Sequence, residues 1–217
     1  MCGRYSFAVV DELIEERFGV RVRTAIYKAR YNCAPGQDLA VISNEDPSEL
    51  RLYHWGLIPF WAKEKSIGYK LINARSESIT EKSYKNAFRS RRCLVPADSF
   101  FEWKKHPAKE PYRILMKDEA PFSMAGIWDK WTSPEGEIIH SFSIMTTSPN
   151  ELLSQVHDRM PVILDKSDEK RWLSPLPESE LMDMLKPYPA EKMKAYKISQ
   201  LVNSPKNDSA EILTPVS

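Results

Sequence analysis

The segment Cys93-Leu94-Val95-Pro96-Ala97-Asp98-Ser99-Phe100-Phe101-Glu102-Trp103-Lys104 contains two short runs of strand-forming residues, Cys93–Val95 and Phe100–Lys104. Pro96 and Asp98 separate the runs, and residues of these types end strands and form turns. Further runs of this kind predict strands at Leu39–Ser43, Leu50–Leu57, Tyr112–Lys117, Ser123–Trp131, Ile138–Thr147 and Pro161–Leu164, with a last strand near Met193–Ile198. The middle of the chain is therefore predicted to be mainly β-sheet.

Helical patterns lie on either side of these strands. Apolar residues recur at helical spacing through Asp11–Phe18, and Gly19 follows as a stop. Further helices are predicted at Asn150–Val156, at Ser167–Leu173 with Ser167 as the N-cap, and at Glu178–Leu185. Because strands occur on both sides of every helical segment, we predict an α+β fold. It is one compact domain over residues 1–217, with a β-rich, barrel-like core at about 2–200, peripheral helices and a loosely held polar tail from about 203.

The composition is that of a globular protein. With 217 residues, 42% hydrophobic and 28% charged, the chain can bury a core and resembles neither disordered nor fibrous proteins. It lacks an apolar stretch of about 18 residues, and its first five residues do not resemble a secretory signal, which favours an intracellular protein of the cytoplasm or nucleoid. Three scattered cysteines, Cys2, Cys33 and Cys93, predict reduced thiols rather than a disulfide framework or a close metal-binding pair.

Charge is distributed unevenly along the chain. The formal net charge of +1 excludes strong attraction of the whole molecule to nucleic acid. From Lys63 to Arg92, however, nine basic residues stand against three acidic ones, a local balance of +6. Either one face of the molecule is basic, or solvated side chains alternate there by chance.

Cys2 carries the most distinctive chemistry of any single residue. Removal of Met1 would leave a thiol and a free α-amine on one residue, with reference pKa values of about 8.5 and about 7.7–8. Such a 1,2-aminothiol reacts with an aldehyde to give an imine, after which the sulfur closes a five-membered thiazolidine ring. Intramolecular closure is fast, so the adduct should last. The alternative for this residue is a small buried hydrophobe.

Several motifs accompany this amino terminus in a fixed order. They are Met1-Cys2-Gly3-Arg4-Tyr5, Tyr31-Asn32-Cys33-Ala34-Pro35-Gly36-Gln37, Trp55-Gly56-Leu57-Ile58-Pro59, Asn73-Ala74-Arg75-Ser76-Glu77, Leu94 to Trp103, and Val156-His157-Asp158-Arg159-Met160-Pro161-Val162-Ile163-Leu164. From residue 2 to about residue 200, the sequence closely resembles the SOS-response-associated peptidase (SRAP) family of abasic-site-processing proteins. Met-Cys-Gly alone also begins glutamine amidotransferases with an amino-terminal nucleophile.

The resemblance implies a DNA-damage and repair function of the SOS response. The amino-terminal cysteine would form a covalent crosslink with the ring-opened aldehyde of an abasic site in single-stranded DNA, with lyase-like and peptidase-like self-processing character. By motif position, Cys2 matches the nucleophile, Asn73 the active-site asparagine, Glu102 the catalytic glutamate and His157 the catalytic histidine. Two departures stand nearby, since the family commonly has glycine in place of Ser99 and a non-cysteine residue in place of Cys33.

Each matched side chain suits a step of this chemistry. A carboxyl group at Glu102 can donate the proton that expels water during imine formation, and an apolar cleft would raise its pKa toward the working pH. The imidazole of His157 can shuttle protons or steady the sugar hydroxyl, and the amide of Asn73 can orient the amine or the sugar. The alternatives are a solvated Glu102 on a strand face and a structural histidine.

Candidate DNA contacts cluster around the same motifs. Arg4, Arg75 and Arg159 lie close in sequence to proposed catalytic groups and are candidates for phosphate clamps, with ion pairs to Glu77 or Asp158 as the alternative for the latter two. Trp61 is either a wedge or stacking platform for bases or a core aromatic. Family position also places Asn32, Pro35 and Asn150 along the DNA groove.

The remaining predictions concern partners and rival functions. No phosphate-binding glycine loop, zinc spacing or dinucleotide fingerprint is present, so no cofactor or metal is expected. The expected partner is single-stranded DNA with abasic sites, bound by a monomer away from any membrane. Two rivals remain open: a thiol hydrolase, peptidase or amidotransferase using Cys2 as nucleophile, and a non-covalent single-strand-binding module.

Overall fold

The computed structural model describes residues 2–23, 25–80, 84–104 and 109–216, arranged as two β-sheets with short helices at their edges. The strands are β1 Tyr5–Phe7, β2 Arg30–Cys33, β3 Asp38–Ser43, β4 Asp46–Trp55, β5 Asn73–Arg75, β6 Arg92–Ala97, β7 Ser99–Lys104, β8 Glu110–Met116, β9 Phe122–Thr132, β10 Ile138–Thr147, β11 Met160–Pro161, β12 Ile163–Leu164 and β13 Met193–Lys197. The predicted α+β class and barrel-like core are confirmed.

The larger sheet closes into a barrel. Its strands pair in the order β10, β4, β3, β6 and β9, and β9 pairs back onto β10. The β9–β10 hairpin is the longest pairing, running from Ile138 opposite Thr132 to Ile144 opposite Gly126. Nearly every residue of these two strands is buried, because one face lines the barrel and the other is covered by neighbouring elements. Short β5 adds to β10 in parallel, with Asn73 opposite Ile144.

The second sheet carries the amino terminus. Its order is β13, β8, β7, β1 and β2, so β1 lies between β7 and β2. Tyr5 stands opposite Phe100 on one side and Cys33 on the other. Since Cys2 precedes β1 by three residues, these pairings hold the start of the chain against β7. Met1 lies outside the described residues.

Five α-helices lie within the described ranges. They are α1 Asp11–Phe18, α2 Lys85–Ser90, α3 Glu151–Ser154, α4 Lys166–Leu173 and α5 Glu178–Asp183. Helix α1 has the predicted bounds and ends at Gly19, whose φ of 68° is the left-handed conformation that glycine adopts most easily. The predicted N-cap of α4 is wrong, because Asp165 occupies that position and Ser167 lies inside the helix.

The carboxyl-terminal segment is packed rather than loosely held. Single 3₁₀ turns form at Gln200–Asn203 and Ala210–Leu213. Val202 and Ile212 are fully buried and form a small apolar cluster with Phe101 and Ile198. The expectation of a loose tail is therefore wrong, because Val202 and Ile212 anchor the segment although polar residues dominate its composition.

The basic stretch from Lys63 to Arg92 does not form one continuous face. Arg92 is only 1% exposed, and its guanidinium donates to the carbonyl oxygens of Phe88 and Trp172 near the ends of α2 and α4. Arg91 pairs with Asp129. Lys82 lies outside the described residues. The exposed positive charge that remains is concentrated before and within β5, from Lys63 to Arg75.

Candidate active site

Cys2 and Asn73 meet where the two sheets join. Cys2 is fully buried, and Asn73 on β5 is 8% exposed. The Nδ2 of Asn73 donates a hydrogen bond of 3.0 Å to the backbone carbonyl oxygen of Cys2. The buried Oδ1 of Asn73 accepts no hydrogen bond from the described residues. The asparagine therefore holds the amino-terminal residue with one end of its amide and has an acceptor left over.

Glu102 lies on the interior face of β7. Phe101 and Trp103 on the opposite face pack against the carboxyl-terminal cluster, as the two-residue period of a strand requires. Glu102 is 2% exposed, so the alternative of a solvated strand residue is wrong. A carboxyl group buried this deeply is unusual unless it has partners.

His157 completes the group of four predicted residues. It lies in the turn between α3 and β11, as predicted, and its Nε2 is 3.8 Å from Oε2 of Glu102. Its Nδ1 accepts a hydrogen bond of 3.1 Å from the backbone N–H of Arg159 and lies 2.9 Å from Oδ1 of Asp158. In the neutral ring, the hydrogen bond from Arg159 to Nδ1 leaves the proton on Nε2, which faces Glu102. In the protonated ring, Nδ1–H can donate to Asp158 instead. The imidazole thus has a partner in either protonation state.

The buried setting alters the acidity of the Cys2 thiol. Desolvation raises its pKa well above the ordinary value, and the negative charge of Glu102 raises it further. The thiol is therefore held as S–H near neutral pH. A thiol hydrolase that attacks directly with sulfur needs the opposite, a lowered thiol pKa. The electrostatics at Cys2 suit a reaction in which another group attacks first.

The predicted phosphate clamps have different surroundings. Arg75 is exposed at the end of β5. Arg159 forms a bidentate pair with Glu77, at 2.6 Å and 2.9 Å, and also donates to the carbonyl oxygen of Thr146 at 2.7 Å. The ion-paired alternative thus describes Arg159. A phosphate reaching Arg159 would have to compete with the Glu77 carboxylate.

Arg4 and Asn32 are joined to the carboxyl-terminal segment. The guanidinium of Arg4 donates to Oδ1 of Asn32 at 2.8 Å and to the carbonyl oxygen of Val202 at 2.6 Å. Asn32 is fully buried, and its amide also donates to the carbonyl oxygens of Ser204 and Asn207. This burial contradicts the expectation that Asn32 lines the DNA groove. Its amide supports Arg4 instead.

The other expected DNA contacts divide between surface and framework. Trp61 is 53% exposed, so the alternative of a core aromatic is wrong. Pro35 is half-buried in the turn after β2. Asn150 caps α3, accepting from the N–H of Leu153 at 2.9 Å, and donates to the carbonyl oxygen of Tyr188 at 2.7 Å. Its side chain is therefore committed to holding the chain around His157.

An open groove of about 600 Å³ runs beside His157. Its lining includes Lys104, Pro149, Val156 and Asp158. In the described ranges, no group of three or more His, Cys, Asp or Glu side chains is placed to hold a metal ion, and no helix there is long and apolar enough to span a membrane. Ser99 and Cys33, the two departures from the family pattern, are buried and do not line this groove.

Sequence reasoning missed the carboxyl-terminal partners of this site. Asn203 accepts a hydrogen bond of 2.7 Å from the indole of Trp103, next to Glu102. Asp208 accepts from the backbone N–H groups of Tyr31 and Asn32, at 2.6 Å and 2.9 Å. The only sequence signal for these contacts is a pair of polar residues in a segment with few apolar ones.

Comparison with known proteins gives consistent results. The model of the family described as SOS response associated peptidase (SRAP) matches residues 1–205. The chain is 46% identical to abasic site processing protein YoqW of Bacillus subtilis, over 98% of this chain and 99% of that protein. It is 33% identical to abasic site processing protein HMCES of Gallus gallus, over 90% of this chain and 68% of that protein. The fold also matches a crystal structure of a protein from Bacteroides thetaiotaomicron. The match covers 100% of this chain and 100% of that chain, with 33% sequence identity and a TM-score of 0.91.

Proposed function

Because this chain belongs to the SOS response associated peptidase family, we propose that it captures abasic sites in single-stranded DNA through a covalent bond to Cys2. The observation that carries the proposal is the convergence of four side chains from distant parts of the sequence. Asn73 donates a hydrogen bond to the backbone carbonyl oxygen of Cys2, and the charge of Glu102 raises the pKa of the Cys2 thiol. The Nε2 of His157 lies 3.8 Å from Oε2 of Glu102. Relatives named for abasic site processing support the same conclusion.

The reaction begins once Met1 has been removed. The α-amine of Cys2 attacks C1′ of the ring-opened sugar, and the carbinolamine loses water to give an imine. The thiol then adds to the imine carbon, and its proton passes to the nitrogen, which closes the thiazolidine ring. One aldehyde and one aminothiol thus become one thiazolidine and one water.

The electrostatics favour this order of steps. The raised pKa of the Cys2 thiol disfavours early attack by sulfur, whereas the free amine titrates near neutral pH in ordinary surroundings. Glu102 acts as the acid that expels water, and it then takes the thiol proton and passes it to the nitrogen of the closing ring. His157 faces Glu102 and assists proton transfer at the sugar, and the spare Oδ1 of Asn73 orients the amine.

The DNA enters as an unpaired strand. Reaching C1′ in a stacked duplex would require the nucleotide to be flipped or the strand sharply bent, at a cost of a few kcal/mol. Arg75, exposed at the end of β5, and Arg4 are the arginines that we expect to hold phosphates beside Asn73 and Cys2. Arg159 would hold one only after the phosphate displaces the Glu77 carboxylate. The protein acts as a monomer on intracellular DNA.

Removal of Met1 is the peptidase-like part of the activity. The same groups that surround Cys2 would assist cleavage of the Met1–Cys2 bond, which links a peptidase character to the crosslinking reaction. A Glu102→Gln chain that keeps Met1 in a host lacking methionine aminopeptidase activity, where the parent chain loses it, would support self-processing.

Denaturing electrophoresis with an abasic oligonucleotide tests the proposal. The parent protein should give a heat-stable shifted band with single-stranded DNA and little with duplex. Cys2→Ser keeps the amine but has a poor ring-closing nucleophile, so it should bind DNA normally and form only an imine that borohydride traps.

Two outcomes would overturn the proposal. A parent protein that binds abasic DNA without any shifted band would be a non-covalent binding module. A Cys2→Ser protein whose crosslink is as heat-stable as that of the parent would exclude the thiazolidine. Cys33→Ser is the matched control, since Cys33 is equally buried but lies outside the group of four residues.

A further inference from the structure

A groove of about 610 Å³ lies between helices α1 and α4, and we call it the α1–α4 groove. One wall is the last turn of α1 with Gly19. The other is one face of α4, whose lining residues follow the helical spacing i, i+3, i+4 and i+7: Lys166, Glu169, Lys170 and Leu173. Cavities of this size hold small ligands or a few side chains of a peptide. The lining includes none of the four residues of the candidate active site, so the groove is a separate feature.

The two walls of the α1–α4 groove are tied to each other by a buried ion pair. Arg17 of α1 forms a bidentate pair with Glu169 of α4, at 2.9 Å and 2.7 Å, and also donates to the carbonyl oxygen of Pro121 at 3.0 Å. Ser123 donates to the same carboxylate at 2.7 Å. Glu169 is only 6% exposed, and bidentate pairing fixes the geometry of both partners. The groove is therefore formed before any partner binds.

The floor of the α1–α4 groove is apolar. Ile42 of β3 and Leu94 of β6 contribute from the barrel and are themselves almost completely buried. Phe18 of α1 and Leu173 of α4 are half-buried, so part of their apolar surface stays in contact with water. Covering such surface with another apolar group is favourable. The floor therefore suits an aliphatic or aromatic side chain of a partner.

The rim of the α1–α4 groove carries positive charge. Lys166 and Lys170 are exposed one helical turn apart, and neither forms an ion pair within the described ranges. The ion pair between the two walls neutralises itself, which leaves Glu16 as the opposing carboxylate of the lining. A further exposed cation, Arg21, is held beside the lining residue Ser48, because its backbone N–H donates to the Ser48 carbonyl oxygen at 2.9 Å. This excess of positive charge favours an anionic partner.

We propose that the α1–α4 groove docks an acidic peptide segment of another protein. An apolar side chain of the segment fills the floor, and neighbouring carboxylates bind Lys166 and Lys170. A nucleic acid fits less well, because its backbone is charged throughout and leaves the apolar floor uncovered. The inference is independent of the proposed crosslinking reaction, since the groove shares no residue with the candidate active site.

Fluorescence anisotropy with a synthetic acidic peptide tests the inference. The first probe is a fluorescein-labelled peptide of four aspartates followed by two leucines and a phenylalanine, and the second has alanine at the three apolar positions. The parent protein should bind the first probe, with an affinity that falls as salt rises. The alanine probe should bind at least about tenfold more weakly, because it leaves the floor uncovered. Combining Lys166→Glu with Lys170→Glu should weaken binding of the first probe by at least about tenfold.

A second double variant is the matched control. Lys117→Glu combined with Lys130→Glu makes the same change of charge at exposed positions outside the groove. It should bind the first probe as the parent does. The double variant at Lys166 and Lys170 should still crosslink abasic DNA at the parent rate, because neither lysine belongs to the candidate active site.

Four outcomes would overturn the inference. The first is that the parent does not bind the first probe below about 1 mM, a free energy too small for a specific peptide site. The second is that both double variants lose affinity equally, which would make the attraction one of overall charge. The third is that the alanine probe binds as well as the first, which would leave the apolar floor unused. The fourth is a parent dimer in sedimentation that Lys166→Glu with Lys170→Glu dissociates, which would make a second copy of this chain the occupant.

Discussion

At the scale of single residues, the acidity of Cys2 distinguishes the proposed chemistry from a thiol hydrolase. Desolvation and the Glu102 charge both favour the neutral thiol. Removing a negative charge from Glu102 should therefore lower the thiol pKa, because the thiolate would no longer be repelled. In a thiol hydrolase that used Glu102 to activate sulfur, the same change would have the opposite effect.

In the Glu102→Gln variant, Cys2 should be alkylated faster than in the parent protein, and the crosslink to DNA should form more slowly. At any pH below the thiol pKa, the variant has a larger thiolate fraction, so small alkylating reagents react faster with Cys2, and in both proteins the rate rises with pH. Crosslinking should fall by about 10²–10⁴-fold, the usual contribution of a general acid or base. Mass spectrometry of the amino-terminal peptide separates Cys2 from Cys33 and Cys93.

If Glu102→Gln slowed both the alkylation of Cys2 and the crosslinking reaction, the proposed role of Glu102 would be contradicted. If Glu102→Gln crosslinked at the same rate as the parent protein between pH 5.5 and 8.5, the role of Glu102 would be structural. Thermal unfolding serves as the control, because Gln keeps the size of the side chain and most of its hydrogen-bonding capacity.

Glu77 occupies the face of Arg159 that a phosphate would use. The bidentate pairing lowers the pKa of the Glu77 carboxyl, which keeps it charged at neutral pH. We therefore expect Glu77 to compete with DNA phosphate for Arg159 and to limit the binding of undamaged DNA. The pair is partly exposed, so a polyanion can displace the carboxylate at small cost.

Glu77→Gln should bind undamaged single-stranded DNA more tightly than the parent. The freed guanidinium gains a phosphate, so the salt dependence should steepen by roughly 0.7 in slope. Arg159→Ala should remove this gain when combined with Glu77→Gln but have a smaller effect alone. Fluorescence anisotropy across a salt series measures both quantities. An unchanged slope in Glu77→Gln would make the pair purely structural.

At the scale of elements, the carboxyl-terminal segment supports the site from behind. Asp208 holds the backbone of β2 and pairs with Arg30 at 3.2 Å, and Val202 accepts from Arg4. A segment that reads as a polar tail therefore fixes the position of Arg4, one of the expected phosphate contacts. Asp208 and Asn203 bind other parts of the fold, whereas Lys206, Ser209 and Glu211 remain exposed.

Asp208→Ala should destabilise the fold and weaken DNA binding together. Two backbone N–H groups and Arg30 lose their acceptor, at a cost of about 1–3 kcal/mol, which lowers the Tm by several degrees. Binding to single-stranded DNA should weaken because Arg4 loses its fixed position. Asp183→Ala, an exposed residue of α5 with the same charge change, is the control. Equal behaviour of the two variants would show that the segment does not support the site.

Elements with a strong local pattern could be predicted from the sequence. Helix α1, its stop at Gly19 and the long strands β9 and β10 were all within reach of periodicity. Strands β1, β2 and β5 were missed because three or four residues are too few to show alternation, and their pairing partners lie far away in sequence. These short strands are the ones that bring Cys2 and Asn73 together.

At the scale of the molecule, the candidate site exists only because the two sheets meet. Cys2 and Glu102 come from the five-stranded sheet, Asn73 from a strand added to the barrel, and His157 from a turn leading back to β10. Motif resemblance identified these residues, but no local pattern could supply their contacts, and the sequence offered the Glu77 pair on Arg159 only as one of two alternatives. The predictions of a loose carboxyl-terminal tail and of a DNA-groove contact at Asn32 were wrong for the same reason, because burial depends on the assembled fold.

Both nucleophiles of Cys2, the amine and the thiol, should end in one ring with the abasic sugar. Mass spectrometry of the crosslinked amino-terminal peptide, after nuclease trimming and with or without borohydride, tests it most directly. We expect a peptide that begins at Cys2, carries the sugar with loss of one water, resists alkylation at sulfur and gains no hydrogen from borohydride. A peptide whose Cys2 sulfur is still alkylated after crosslinking, or an adduct on a lysine that borohydride reduces, would contradict the account.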